Sequence, residues 1–290
     1  MPRALMRLAA RLPLSFLHAA GALLGWMIYL ASPTYRRHLR ENLVLAGYRD
    51  RGTRRAAIAE AGKMLAEFPA LWFRPHAEVA ALVRALEGDT GAWARPRGGA
   101  PIVFLSPHQG CFEVTSLYAA TRMPITVLYR PPKLTWLDPL MREGRERTNV
   151  RLAPADRSGV REVLAALKRG EAAGFLPDQV PGVGEGEWVE HFGKPAYTMT
   201  LAGRLAARPE VECYLVFARR LPRGAGYALV VRALPDALPG ESATRRVNRA
   251  LESLVRECPE QYLWGYNRYK TPRGARKPLA GESQRAGADR

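Results

Sequence analysis

Hydrophobic positions recur along the chain in two alternating patterns, one typical of helices and the other of buried strands. Short apolar runs bounded by glycine or proline predict strands, and longer segments with apolar residues at three- and four-residue spacing predict helices. Strands are predicted at 101–106, 125–130, 173–176, 211–218 and 227–233. Helices are predicted at 54–73, 76–86, 110–121, 136–147, 158–169, 198–207 and 242–256. Strands that alternate with helices favour an α/β fold, with a mixed, largely parallel sheet flanked by helices.

The amino-terminal segment is far more apolar than the rest of the chain. No Asp, Glu, Lys or Arg lies between Arg11 and Arg36. A helix over residues 12–31 would be about 30 Å long, which matches the thickness of a bilayer core. Pro13 and His18 weigh against a full span, so we expect a membrane anchor or a helix that lies in the interface, with a buried core helix as the alternative. The basic residues that follow, at 36, 37 and 40, weigh against a cleaved signal peptide.

These patterns divide the chain into three parts. Residues 1–35 are predicted to form the amino-terminal membrane helix, and residues 36–272 one globular domain. Residues 273–290 are polar and rich in glycine, and we expect them to be disordered.

The composition is globular but strongly basic. Among 290 residues, 44 Lys and Arg oppose 27 Asp and Glu, which gives a net charge of +17. Three cysteines without paired spacing exclude a disulfide scaffold and a cysteine-built zinc site. The charge is consistent with an arginine-rich composition alone, or with an anionic partner such as nucleic acid, an acidic carrier protein or a phosphate-bearing lipid surface. Charge by itself does not choose among them.

The first candidate for chemistry is a histidine just after the strand predicted at 101–106. His108 is followed five positions later by Glu113 (an H-x4-E pattern) in the next predicted helix. A histidine at a strand end can accept a proton from a hydroxyl, and a carboxylate can orient it and stabilise the cation that forms. Cys111 offers a rival interpretation as a thiol nucleophile. A small buried cysteine is the commoner outcome for such a position.

Two further strand ends carry polar residues. Arg130 and Lys133 follow the strand at 125–130 and could hold a phosphate or a developing oxyanion. Asp178 follows the apolar strand at 173–176. The glycines at 182, 184 and 186 do not predict a nucleotide site, because they lead into acidic residues and a Trp-Val pair rather than into a helix N-terminus.

The closing segment, residues 259–270, interleaves aromatic and basic side chains. Such a pattern could stack on bases, lie at a membrane interface or pack as a closing element of the domain. No helix-turn-helix, zinc-finger or RNA-binding signature accompanies it, which weakens the prediction of a nucleic-acid partner.

Taken together, these motifs resemble the lysophospholipid acyltransferase superfamily, and within it the late acyltransferases of lipid A biosynthesis. The motifs run in family order through most of the chain: an apolar anchor, His108-x4-Glu113, Tyr129-Arg130-Pro131, Leu176-Pro-Asp178-Gln179, Phe192-Gly193-x-Pro195-Ala196, and Pro259-Glu-Gln-Tyr-x-Trp264 followed by Arg268. The resemblance implies a glycerolipid acyltransferase-like fold and transfer of a fatty acyl group from acyl carrier protein to a hydroxyl of an acylated glycolipid.

The resemblance also implies roles for individual residues. His108 would be the general base and Glu113 would orient and charge it. Arg130 would steady the oxyanion or a lipid phosphate, with Lys133 beside it, and Asp178 would help to shape the acceptor site. Gln179 and Arg268 belong to the same motifs and are expected at the substrate. No metal or cofactor is implied.

The implied partners are acyl carrier protein, a glycolipid or phospholipid acceptor and the anionic membrane surface, with no nucleic acid. The implied location is the bacterial inner membrane, with the catalytic domain facing the cytoplasm.

Two positions depart from the residues that are common in relatives. Cys111-Phe112 stands where many relatives have Asn-Trp, and Asn267-Arg268 stands where many have two consecutive basic residues. The acceptor is therefore open between a lipid A precursor, an ornithine lipid and a lysophospholipid. A Cys111-dependent thioesterase or transferase and a non-catalytic lipid-binding protein are the alternatives from other classes.

Overall fold

The computed structural model describes residues 2–94, 99–132, 134–147 and 149–276. The strands in this part of the chain are β1 (Val83–Gly88), β2 (Ile102–Leu105), β3 (Ile125–Tyr129), β4 (Val150–Pro154), β5 (Ala172–Phe175), β6 (Gly186–His191), β7 (Lys194–Met199), β8 (Glu212–Arg220) and β9 (Tyr227–Ala233). The α-helices are α1 (Pro2–Ala10), α2 (Leu14–Ala31), α3 (Pro33–Leu45), α4 (Arg51–Ala66), α5 (Phe68–Phe73), α6 (His76–Ala80), α7 (Phe112–Ala119), α8 (Asp138–Arg145), α9 (Arg157–Lys168), α10 (Thr200–Ala206) and α11 (Ala243–Glu257).

Seven strands form one sheet in the order β1-β9-β8-β2-β5-β3-β4. Neighbouring strands from β8 to β4 run parallel, whereas β9 is antiparallel to β8 and β1 is parallel to β9. The predicted mixed, largely parallel α/β fold is therefore confirmed. Because β2, β3 and β5 point the same way, their carboxyl ends meet at one edge of the sheet, where ligands of such folds gather.

The sheet is buried on both faces, as its nearly continuous apolar strands predict. Along β2, Phe104 packs on the face that α5 and α7 cover, whereas Val103 and Leu105 pack on the opposite face with α9, α10 and α11. This alternation is the two-residue period of a strand. The four residues of β2 are at most 2% exposed.

Two helix predictions are corrected by the structure. The segment predicted as a helix over 76–86 is helical only to Ala80, and its second half is β1, the strand at one edge of the sheet. The segment over 54–73 forms two helices, because Pro69 lies in the first turn of α5. Proline has no amide hydrogen to donate and favours the start of a helix.

The structure also adds three strands that the hydrophobic pattern does not predict. β4 lies at the other edge of the sheet, and exposed Arg151 interrupts its apolar run. β6 and β7 form a separate antiparallel hairpin whose turn places Phe192 and Gly193 at positive φ, as two-residue hairpin loops require. Thr198, expected at the start of a helix, therefore belongs to β7, and α10 begins at Thr200.

The apolar amino-terminal segment is helical, as predicted. Among the described helices, α2 alone is long and apolar enough to span a membrane, although a third of it is buried. It packs along α4, and α3 follows it directly. The division between a membrane helix that ends at residue 35 and a globular domain that begins at residue 36 stays a prediction. Of the segment predicted to be a disordered tail, residues 277–290 lie outside the described part of the chain.

A buried charged cluster joins the amino-terminal helices to the sheet. Arg220, at the end of β8, donates to both carboxylate oxygens of Glu67, at 2.7 and 3.0 Å, and to Glu60 at 3.2 Å. Tyr227 and His18 lie within 3.2 Å of the same Glu67 carboxylate. Each of these five residues is at most 9% exposed. Such a network specifies one arrangement of the elements, because each group would be costly to bury without its partners.

The electrostatics of Glu67 follow from this arrangement. Burial by itself would raise the pKa of Glu67, but Arg220 and His18 outweigh it and lower the pKa from 4.5 to about 2. A carboxylate whose pKa is lowered on folding stabilises the folded state above its unfolded pKa. This contribution is lost as the pH falls from about 4.5 to about 2.

We predict that Glu67→Gln lowers the free energy of unfolding by about 3 kcal/mol or more at neutral pH, because it leaves Arg220 buried with one carboxylate fewer. The difference from wild type should shrink as the pH falls below about 4.5, and urea denaturation in detergent would measure it. Glu257→Gln breaks the half-exposed pair with Arg232 and should cost less than about 1 kcal/mol. Equal losses in the two variants would contradict the assigned importance of the buried cluster.

Candidate active site

The loop that carries His108 begins where β2 ends at the carboxyl edge of the sheet. The amide of Ser106 still bonds to the β5 carbonyl of Phe175 at 2.9 Å, after which the chain leaves the sheet and enters α7 at Phe112. His108 therefore lies between a buried strand and the first turn of a helix, as its predicted strand-end position requires.

Contacts to β8 fix the far side of this loop. Gly110 has φ +57°, and a Cβ atom there would come within 2.0 Å of the Ala218 carbonyl oxygen. Both the conformation and the close approach require glycine. The Gly110 carbonyl also accepts a 2.7 Å hydrogen bond from Arg220, so the buried charged cluster reaches the loop directly.

The closing segment of the chain holds the loop from another direction. The Gly110 amide donates to the Gln261 carbonyl at 2.9 Å, and the Leu263 amide donates to the His108 carbonyl at 3.0 Å. Tyr262 and Trp264 are 7% and 2% exposed. Of the three interpretations of this segment, these two aromatic side chains therefore fit the packed closing element.

His108 forms its main polar contact with Asp178. The ring Nδ1 lies 2.7 Å from Asp178 Oδ1, and the His108 amide donates to Oδ2 at 2.8 Å. With the neutral ring protonated at Nδ1, Nε2 keeps its lone pair, which accepts from the Gln179 side-chain amide at 3.1 Å. One carboxylate thus fixes both the backbone and the tautomer of His108, as in a histidine–aspartate pair of a hydrolase.

Asp178 is 3% exposed and is held in its charged form. Burial alone would raise its pKa, but His108 and, further away, Arg268 lower it below the ordinary value. Arg268 is also buried, and it donates to the Tyr197 carbonyl and the Thr198 hydroxyl of β7. Arg268 therefore binds the β6–β7 hairpin, and its charge favours the ionised form of Asp178.

Glu113 is directed elsewhere. Its carboxylate forms a two-pronged ion pair with Arg145 of α8 and accepts a 3.3 Å hydrogen bond from the indole of Trp72. The expected orienting contact to His108 is thus made by Asp178 instead. The physical reason is that Glu113 lies in the first turn of α7 on the side that faces α5 and α8, whereas the preceding Phe112 ring lies 4.9 Å from the His108 ring.

A cavity of about 510 Å³ opens against His108, on the α7 face of the sheet. Its inner wall is apolar and comes from strands β2, β3, β4, β5 and β8: Phe104, Ile125, Val127, Leu152, Gly174 and Val216. Its polar wall carries His108, Glu113, Arg130, Arg145, Gln179 and Lys270. A long apolar wall beside a few polar groups fits an amphipathic ligand with a hydrocarbon chain.

The remaining predicted residues have different positions. Gln179 and Arg130 line the cavity, and Arg130 is largely exposed, with Glu185 at 3.6 Å. Lys133 lies outside the described residues. Neither Asp178 nor Arg268 is among the lining residues of the described cavity.

Cys111 does not face this cavity as a nucleophile would. It is 1% exposed, and burial, together with the Glu67 charge, raises the pKa of its thiol well above the ordinary value. The thiol side chain interacts with the hydroxyl of Tyr227 in the buried charged cluster. A buried thiol with a raised pKa supplies little thiolate, which argues against the cysteine-dependent alternative.

Sequence reasoning missed two side chains that shape the site. Arg145 is one of several arginines in a polar helix, and nothing in its spacing marks it. Trp72 looks like a core residue, and it does stack on Phe68, but its indole nitrogen donates to Glu113. A buried carboxylate needs such partners, and that requirement is the signal that could have prompted a search for them.

Comparison with known proteins identifies related sequences over nearly the whole chain. Residues 3–271 match the family described as bacterial lipid A biosynthesis acyltransferase. The lipid A biosynthesis lauroyltransferase of Escherichia coli (strain K12) is 29% identical over 217 residues, covering 72% of this chain and 69% of that protein. The palmitoleoyltransferase of the same organism is 27% identical over 250 residues, covering 83% and 76%. Its myristoyltransferase is 26% identical over 188 residues, covering 63% and 56%.

Proposed function

The chain belongs to the bacterial lipid A biosynthesis acyltransferase family, and from this premise we propose that it moves a fatty acyl chain from acyl carrier protein to a hydroxyl of an acylated lipid A precursor, with His108 as the general base. Its membership makes it an acyltransferase; the donor, the acceptor and the residue roles are the proposal. The observation that carries the proposal is the apolar cavity that opens against the His108–Asp178 pair.

The proposed reaction needs one proton transfer in each direction. His108 Nε2 takes the proton of the acceptor hydroxyl as the oxygen attacks the thioester carbonyl carbon. The tetrahedral intermediate then collapses, the carbon–sulfur bond breaks, and the proton passes from His108 to the departing thiol. Asp178 keeps the proton of the neutral ring on Nδ1 and stabilises the imidazolium between the two transfers.

The cations of the cavity wall are suited to stabilising the negative charge that develops on the thioester carbonyl oxygen during the attack. Arg130 is proposed to bind the oxyanion or a phosphate of the acceptor, with Lys133 assisting it and Gln179 beside the base. Glu113 is proposed to act through Arg145, because their ion pair fixes the guanidinium in the wall of the cavity, where we expect the reacting carbonyl to bind. Fixed charges that need no reorganisation are the effective kind in such sites.

The donor and the location follow from the same chemistry. The net charge of +17 is compatible with an acidic carrier protein and with a membrane surface of anionic lipids. We propose that the enzyme works at the cytoplasmic face of the bacterial inner membrane, where a cytoplasmic carrier and a membrane lipid can both reach one cavity.

We predict that His108→Ala lowers acyl transfer by about 10²–10⁴-fold, because the acceptor hydroxyl loses its base. The assay measures transfer from radiolabelled acyl carrier protein to extracted bacterial lipids, and mass spectrometry of the product identifies the acceptor. His38→Ala, which changes a histidine of α3, is the matched control, and Cys111→Ala should also retain turnover. Activity that survives in His108→Ala but disappears in Cys111→Ala would contradict the proposal.

The apolar wall predicts where the length of the acyl chain is read. Gly174 of β5 lines the cavity, and a Cβ atom there would make only ordinary contacts, at 3.4 and 3.5 Å, with Val127 and Ile125. Alanine therefore fits, whereas a longer side chain would extend into the space proposed for the acyl chain. The relatives carry lauroyl, myristoyl and palmitoleoyl in their names, so chain length differs within the family.

We predict that Gly174→Leu shifts the ratio of kcat/KM toward shorter donors by roughly tenfold or more, because filling a hydrophobic pocket by a few methylenes discriminates on that scale. Gly174→Ala should shift it far less. Competition among acyl carrier proteins charged with chains from decanoyl to palmitoyl would measure the ratio. If Gly174→Leu slowed transfer equally for every chain length, the result would contradict the proposal that the acyl chain lies beside Gly174.

A further inference from the structure

Helix α2 has two faces of different character. Its buried face consists of Leu14, Leu17, His18, Gly21, Gly25 and Tyr29. Its exposed face carries Phe16, Leu23, Met27 and Leu30, which are 56–66% exposed and recur at the spacing of one helical stripe. A helix that is apolar on its exposed face needs an apolar environment on that side.

The buried face packs against α4 so closely that the backbones of the two helices are in contact. A Cβ atom on Gly25 would come within 2.1 Å of the Ile58 carbonyl oxygen, and one on Gly62 within 2.0 Å of the Gly21 carbonyl oxygen. His18 is buried with its Nε2 3.2 Å from Glu67. Because the contact residues run from Leu14 to Tyr29, the helix is held over almost its whole length of about 27 Å.

The partner helix α4 is too polar to accompany α2 across a bilayer. Lys63 lies beside Gly21, close to the middle of α2, and it pairs with Glu60. Arg51 and Arg55 project from the same helix into solvent. If α2 crossed the membrane while it stayed on α4, these charges would enter the hydrocarbon core, where ionised side chains are strongly disfavoured.

The neighbouring helix α1 also carries exposed apolar residues, and it contacts α8 at the active site. Leu5 and Leu8 are 68% and 62% exposed. Arg3 and Arg7 pair with Glu143 of α8, the helix whose Arg145 lines the cavity. A bilayer that covers α1 would therefore lie close to the cavity.

We propose that α1 and α2 form a membrane-docking face that lies along one leaflet, on the same side of the bilayer as the catalytic domain, and that α2 does not cross the membrane. The apolar stripe enters the leaflet, and the arginines that flank α2, at 11, 36, 37 and 40, face anionic headgroups. The acceptor lipid then reaches the cavity from the leaflet in which the face is embedded, a consequence that rests on the proposed function.

The topology can be tested on the full chain expressed in bacteria. An epitope tag on a flexible linker before Met1 and a second tag after Arg290 report the two sides of α2. Protease should remove both tags from inside-out vesicles and neither from intact spheroplasts. A spanning α2 would leave the tags on opposite faces, with one cut in each preparation, and that result would overturn the proposal. Permeabilised vesicles, in which both tags must be cut, are the control for access.

The lipid contact is tested with the purified protein and vesicles that contain phosphatidylglycerol. The double variant Leu23→Glu/Met27→Glu should lower vesicle binding in flotation by roughly tenfold or more, because it charges the apolar stripe. Leu238→Glu, at an exposed apolar position outside these helices, should bind like wild type. Unchanged binding of the double variant would overturn the proposal, as would a change in its oligomeric state without a change in binding. Neither readout depends on acyl transfer, so the proposed function could fail independently.

Discussion

Arg220 is the side chain on which the rest of the structure depends. From the end of β8 its guanidinium bonds to two buried carboxylates of the amino-terminal helices and to the carbonyl of Gly110 in the His108 loop. A buried arginine is tolerated only with such a complete set of partners. The same group therefore fixes the helices against the sheet and the loop against β8. Arg220 thereby favours one arrangement of the helices, the sheet and the loop, because in that arrangement each buried charge has its partner.

The active site is built outward from that anchored loop. The loop holds the His108 backbone, Asp178 holds its ring, and the charge of Arg268 favours the ionised form of Asp178. Elsewhere on the same polar wall, Glu113 and Arg145 form a second pair across α7 and α8. The cavity thus has two charge pairs with separate tasks in our proposal, one for proton transfer and one for the reacting carbonyl. The apolar strand residues between them form the wall proposed for the acyl chain.

Much of this could be predicted from the sequence, because buried strands are short apolar runs and their carboxyl ends meet at one edge. That reasoning brought His108, Arg130, Asp178 and Gln179 to one region. It could not decide which carboxylate contacts the His108 ring, since Glu113 and Asp178 both follow strand ends. The choice depends on the direction in which the side chains of the first turn of α7 point. The hairpin of β6 and β7 escaped prediction because half-exposed strands with Pro195 and glycine carry little apolar pattern.

The central claim is that Asp178, and not Glu113, sets the protonation of the base. The most direct measurement is ¹⁵N NMR of the histidine-labelled enzyme, with the His108 signals assigned by their loss in His108→Ala. The account predicts that the neutral ring of His108 carries its proton on Nδ1. This preference should be lost in Asp178→Asn and kept in Glu113→Gln. A proton on Nε2 in the wild-type enzyme, or a tautomer that responds to Glu113→Gln and not to Asp178→Asn, would contradict it.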